Sequence, residues 1–195
     1  IRVYLDMLLE VPESVGLAGI RRQAAHSILH GSPEFYFIKF PERLKEAMTQ
    51  HKLSCDFGSS LLYSIGMAAK EYEVTKFLYK NNFVEDQVAY AKYILLPTQE
   101  EILAWEIASR NSLEKILHLA LIIRDISCAV PLAFDAEHGA EIKEGVKRKI
   151  AHISPDYQMR IQRIIYEGFP LLSENTSENI DLIAKWITEE IVHEF

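Results

Sequence analysis

An all-α single domain of about nine or ten short helices, arranged as an irregular helical bundle or a helical-hairpin array, is the fold the sequence predicts. Three observations carry this. Helix-forming residues dominate a chain that is 49% apolar and 25% charged, and strict apolar–polar alternation is nearly absent. Capping residues recur just ahead of runs with helical apolar spacing. The 195 residues contain no low-complexity tract and no obvious linker, so one domain spanning 1–195 is expected.

The first half predicts helices near 1–11, 16–30, 42–51, 59–70, 72–81 and 84–95. Turn residues separate most of them, at Gly31–Pro33, Ser54–Gly58, Asn81–Asn82 and Leu96–Pro97. The aromatic run Glu34–Phe40 reads as a connector packed across the core rather than a surface patch. In the second half, Thr98 and Glu101 have capping-box spacing, which satisfies first-turn amides reciprocally. Ile102, Leu103 and Ile107 follow at helical intervals. Asn111 and Ser112 end that helix and begin the next, in which Leu113, Ile116, Leu117, Leu119, Ile122 and Ile123 cover opposite sides. A helix apolar all round belongs in the middle of a domain. Ser154–Pro155 has the pattern of an N-cap with proline at the first helical position, and Gly168 with Pro170 ends that helix. A last helix starts near Thr176–Ser177 and carries Ile180, Ile183, Trp186, Ile187 and Ile191.

Short helices joined by short turns are the signature of stacked hairpins. The stretch from Leu61 to Asn82, with Glu73-Val74-Thr75-Lys76-Phe77-Leu78 as its core, resembles the second half of an ankyrin repeat, and residues 104–121 carry a fainter echo. Glu73 and Glu114 lie 114 − 73 = 41 residues apart, against about 33 in that family. The resemblance implies a protein-binding surface.

Composition narrows the function classes. The formal charge is −7, which argues against nucleic acid as a partner because a duplex binder needs a basic footprint. No apolar run reaches the ~18 residues needed to span a bilayer. The chain starts at Ile1 within an apolar stretch, as expected of a domain cut from a longer protein. Cys55 and Cys128 are far apart and in no metal-binding pattern, so they read as buried free thiols in a reducing, intracellular (cytoplasmic) compartment.

Candidate chemistry is sparse. None of the seven histidines is followed by aspartate, which removes the His-Asp pair of HD-type phosphohydrolases. Glu190–His193 is a lone Glu-x-x-His pair, and Asp135, Glu137, His138 and Glu141 read as an acid-rich helix start more readily than as metal ligands. His26 and His30 share a helix face, and His118 sits in the most apolar helix, as a core histidine with a backbone partner. Glycine-rich phosphate loops, nucleophile elbows and zinc-type cysteine pairs are absent, so no cofactor and no metal is expected. Arg21-x4-His26 resembles the catalytic motif of the HEPN ribonucleases, which implies phosphorane stabilisation by Arg21 and acid–base work by His26. Lys143, Lys147, Arg148, Lys149, Arg160 and Arg163 form a basic cluster suited to an acidic partner surface. These features favour a module that binds another protein through a groove or a concave helical face over an enzyme. The alternatives are a HEPN-like ribonuclease and a helical accessory domain of a larger effector enzyme.

Overall fold

The computed structural model describes residues 10–194, and all of its regular structure is helical. Among the described residues there are nine α-helices in one compact domain: α1 (Glu13–His30), α2 (Glu42–Gln50), α3 (Cys55–Lys80), α4 (Val84–Ile94), α5 (Gln99–Ala108), α6 (Ser112–Ser127), α7 (Gly139–Lys149), α8 (Pro155–Arg163) and α9 (Thr176–Glu190). The expected helix near 1–11 lies outside the described residues except for its last two positions, a turn and a bend.

The axis of the domain is α3. It packs against α1, α4, α6 and α9 at once, and therefore buries residues around most of its circumference, from Phe57 and Leu61 through Ile65 and Ala69 to Val74 and Leu78. Small residues make this possible. A Cβ on Gly66 would come within 2.6 Å of Ile38 Cδ1, so a larger residue there would have to push the tip of the Ile38 side chain aside where the 38–40 connector crosses. The two helices expected at 59–70 and 72–81 are this single helix. Nothing in Met67-Ala68-Ala69-Lys70-Glu71-Tyr72 breaks a helix, since alanine, lysine and glutamate all favour one. Residues 61–80, where the ankyrin resemblance begins, run along it.

Among the described residues, side-chain caps open four of the nine helices, at Ser54, Thr98, Asn111 and Asn175. Thr98 Oγ1 accepts from Glu101 N at 3.2 Å, and Glu101 Oε2 accepts from Thr98 N at 2.9 Å, which completes the box. Asn111 Oδ1 accepts from Leu113 N and Glu114 N, and Asn175 Oδ1 from Ser177 N and Glu178 N. Ser154 has the extended backbone of an N-cap, but its hydroxyl makes no capping bond, and Pro155 alone marks the start of α8.

The helix expected to run unbroken from 155 to 168 widens into a π-turn at Ile164–Gly168 and tightens into a 3₁₀ turn at Phe169–Leu171. Pro170 offers no N–H, and its ring collides with the carbonyl four residues back, so an α-helical path cannot continue. Gly168 meanwhile lies under Trp186 of α9, and a Cβ there would meet the indole at 2.9 Å.

The aromatic connector divides its residues. Ile38 and Phe40 pack on the core, but Tyr36 and Phe37 of the 3₁₀ turn around Pro33–Tyr36 are 74% and 83% exposed, contrary to the wholly packed connector expected. Both thiols are free. Cys128 is buried as expected, whereas Cys55, at the first position of α3, is exposed. Among the described residues no helix is long and apolar enough to cross a membrane.

Candidate functional site

Arg21 and His26 leave α1 toward different partners. Arg21 pairs with Asp86 of α4 at 2.9 Å and lies 4.6 Å from the Phe83 ring centroid. His26 Nε2 is 3.1 Å from Glu71 Oε1 of α3, and its Nδ1 is 3.4 Å from Nδ1 of His30. The arginine that joins His26 is its other near neighbour, Arg22. That side chain is 3% exposed and donates to Thr75 Oγ1 at 2.6 Å, to Gln87 Oε1 at 2.9 Å, to the Glu71 carbonyl at 3.2 Å and to the Glu71 carboxylate. Its guanidinium also covers Tyr90, 4.7 Å from the ring centroid. His30 Nε2 meets Glu73 Oε2 at 2.8 Å, and Glu73 accepts from Thr176 and Asn179 of α9 as well. One polar stripe on α1, with residues 22, 26 and 30 four apart, thus ties α1 to α3, α4 and α9. The spacing was visible in the sequence, but which arginine is buried was not.

The remaining candidates scatter. Lys143 lies over the Phe134 ring at 5.4 Å, and Lys147 pairs with Glu144 at 3.7 Å. Arg160 holds Asp156 and Glu194, and Arg163 holds Glu190. Lys149, expected on the surface, is 3% exposed and paired with Glu101. Only Arg148 stands exposed beside a shallow hollow next to Lys92 and Leu95. Much of the positive charge around residues 143–163 is therefore matched within the chain. Asp135 accepts from Glu137 N, His138 N and the Tyr79 hydroxyl, so this acid closes the turn that leads into α7. Among the described residues no group of three or more His, Cys, Asp or Glu side chains is placed to hold a metal ion.

A cleft of about 510 Å³ opens between α3, α4, α6 and the end of α7. Tyr63, Met67, Tyr90, Tyr93, Ile94 and Leu96 supply its apolar surface, and Glu71, Glu101, Arg124, Asp125, Cys128 and Lys149 its polar part. The charged groups are matched in pairs: Arg124 donates twice to Asp125, at 2.8 and 2.9 Å, Lys149 to Glu101, and Glu71 holds Arg22 behind the wall. Burial by itself raises Glu71, but the hydrogen bond with His26 and the charge of Arg22 bring its carboxyl down to about 2. Burial pushes the Cys128 thiol up to about 12, and burial likewise lifts the Tyr90 phenol to about 12. These shifts all move away from neutrality, while an acid–base catalyst works best near the operating pH.

Beside the cleft, α5, α6 and the turn between α7 and α8 meet at a second cluster. His118 packs on Trp105 with ring centroids 5.7 Å apart, and Trp105 meets Tyr157 edge-on. His118 Nε2 and both ring nitrogens of His152 are out of solvent and, among the described residues, make no hydrogen bond of ordinary geometry. The backbone partner expected for His118 is thus missing at its buried Nε2. Burial lowers His118, helped by His152, against the pull of Glu101 and Asp125. Burial also lowers His152, helped by Lys149 and opposed by Glu101 and the Lys149 backbone.

Compared with known proteins, the chain matches no family model, and no curated protein and no solved structure matches it either.

Proposed function

We propose that this is a protein-binding module whose receptor is the cleft between α3, α4, α6 and α7. The observation that carries this reading is the make-up of the cleft. Three tyrosines and Met67 line a space of about 510 Å³ above charged groups already paired with one another. Tyrosine gives large contact area at low entropic cost, methionine adapts its shape to what covers it, and buried aromatic anchors dominate binding energy at protein interfaces. Tyr63 and Tyr93 are 61% and 42% exposed, and such rings gain most from being covered. Pre-paired carboxylates and cations offer a partner fixed polar contacts without leaving a buried charge uncompensated.

A photo-crosslinking residue placed at Tyr63, and at the exposed Lys185 of α9 as control, tests the reading in source-cell lysate. The expected result is one set of covalent protein adducts from position 63, absent from position 185. Tyr93→Ala should reduce their yield about tenfold or more, as loss of an aromatic anchor does. Identical adducts from both positions, or a yield indifferent to Tyr93→Ala, would overturn it.

A further inference from the structure

The Trp105 corner holds a feature that neither packing nor binding explains. Three imidazole nitrogens are removed from solvent and, among the described residues, make no hydrogen bond of ordinary geometry, the Lys149 backbone being the one group that approaches His152 as an acceptor, against the strong tendency of buried polar atoms to find partners. As neutral rings, His118 and His152 tolerate this. As imidazolium ions they would need acceptors at once.

The groups facing them are few. Glu101 from α5 acts on both rings, Asp125 from α6 acts on His118, and Lys149 at the end of α7 acts on His152. Asp125 is held by Arg124, and Lys115, three residues before His118 on α6, lies over the Tyr157 ring. Glu101 is therefore the carboxylate both rings would draw on. It is already committed twice: Oε1 accepts from Lys149, and Oε2 accepts from Thr98 N in the capping box of α5. It also lines the cleft together with Lys149 and Thr98.

We propose that His118 and His152 form a proton-operated release for this side of the cleft. When the rings take up protons, they compete with Lys149 for Glu101. Lys149, 3% exposed, then loses its counter-charge, must turn toward water, and loosens the start of α5 with it. The sign follows from burial. Both rings hold protons less readily in the folded chain than a free histidine does. Below about pH 6.5 the unfolded chain therefore binds more protons, and stability that is complete above that pH is lost as pH falls. Each ring kept neutral makes the unfolding equilibrium constant rise by up to about tenfold per pH unit in that window. The effect on a partner rests on the cleft reading above; the release itself does not.

Hydrogen exchange on the whole chain, corrected for intrinsic pH dependence, tests it at pH 7.5 and 5.5. Residues 99–108 and 149–153 should lose protection at pH 5.5 in the natural chain. A His118→Phe, His152→Leu double variant should keep it. Unchanged protection in the natural chain, or the same loss in the double variant, overturns the proposal. Should the double variant fail to fold, NMR of the natural chain decides: rings that still take up protons only below the free-histidine range support the release, and rings that do so at or above it sink it. Repeating the Tyr63 crosslinking at both pH values separates the two readings. No adduct at either pH counts against the cleft as a receptor and leaves the exchange result standing.

Discussion

Arg22 is the residue on which several elements converge. Its guanidinium reaches α3 through Thr75 and Glu71 and α4 through Gln87, so removing it leaves Glu71 as a buried charge without its cation. Arg22→Ala is expected to destabilise the chain by about 3–5 kcal/mol, the usual result of breaking one side of a buried pair. Arg43→Ala, at an ion pair with Glu46 in which both side chains are more than 60% exposed, should cost less than about 1 kcal/mol. Urea denaturation of the two variants measures the difference, and equal costs would contradict the burial argument. Within the motif Arg21-x4-His26, Arg21 turns to Asp86 of α4, while its neighbour Arg22 joins Glu71 beside His26. Two adjacent arginines point about 100° apart on a helix, and only the placement of α3 and α4 decides which of them faces inward.

At the scale of elements, local chemistry and packing divide the work. Thr98, Asn111 and Asn175 stop and start helices by satisfying amides within their own first turns, so those boundaries are readable from sequence alone. The π-turn at Ile164–Gly168 leads into Pro170 and sets Gly168 under Trp186 of α9, whose indole occupies the space a side chain there would need. Gly168→Ala should therefore cost about 1–3 kcal/mol through overpacking and shift Trp186 emission. Gly19, inside α1, has open space where a side-chain methyl would sit, with nothing within 4 Å, and should respond oppositely. Gly19→Ala should stabilise by up to about 1 kcal/mol through helix propensity. Thermal melts of the pair, with fluorescence for the first, check both signs.

For the whole molecule, the charge of −7 is unevenly spread. Residues 1–97 carry 11 acids and 11 bases, whereas 98–195 carry 17 and 10, which accounts for all of it. Within 143–163 there are six bases and two acids, yet Lys147, Lys149, Arg160 and Arg163 spend their charge on Glu144, Glu101, Asp156 with Glu194, and Glu190. A local excess counted along the chain is thus not a basic surface in space. The packing of α1, α4, α6 and α9 around α3 predicts a radius of gyration of about 16 Å by solution scattering, the value for a compact domain of this length. A markedly larger value for the monomer would indicate an extended array instead.

Helix periodicity and capping act over four residues or fewer, so the all-α class and most helix starts are legible in the sequence, whereas Leu103 and Ile107 of the apolar set on α5 are 48% and 64% exposed and Trp105 and Ala108 are buried there instead. Tertiary packing makes residues 55–80 one helix that buries residues around most of its circumference, puts Lys149 inside and Tyr36 and Phe37 outside, and gathers Tyr63, Tyr90 and Tyr93 into a cleft with Glu101 and Arg124. Those facts depend on contacts between residues tens of positions apart, and no local pattern encodes which surfaces of a helix its distant neighbours will cover.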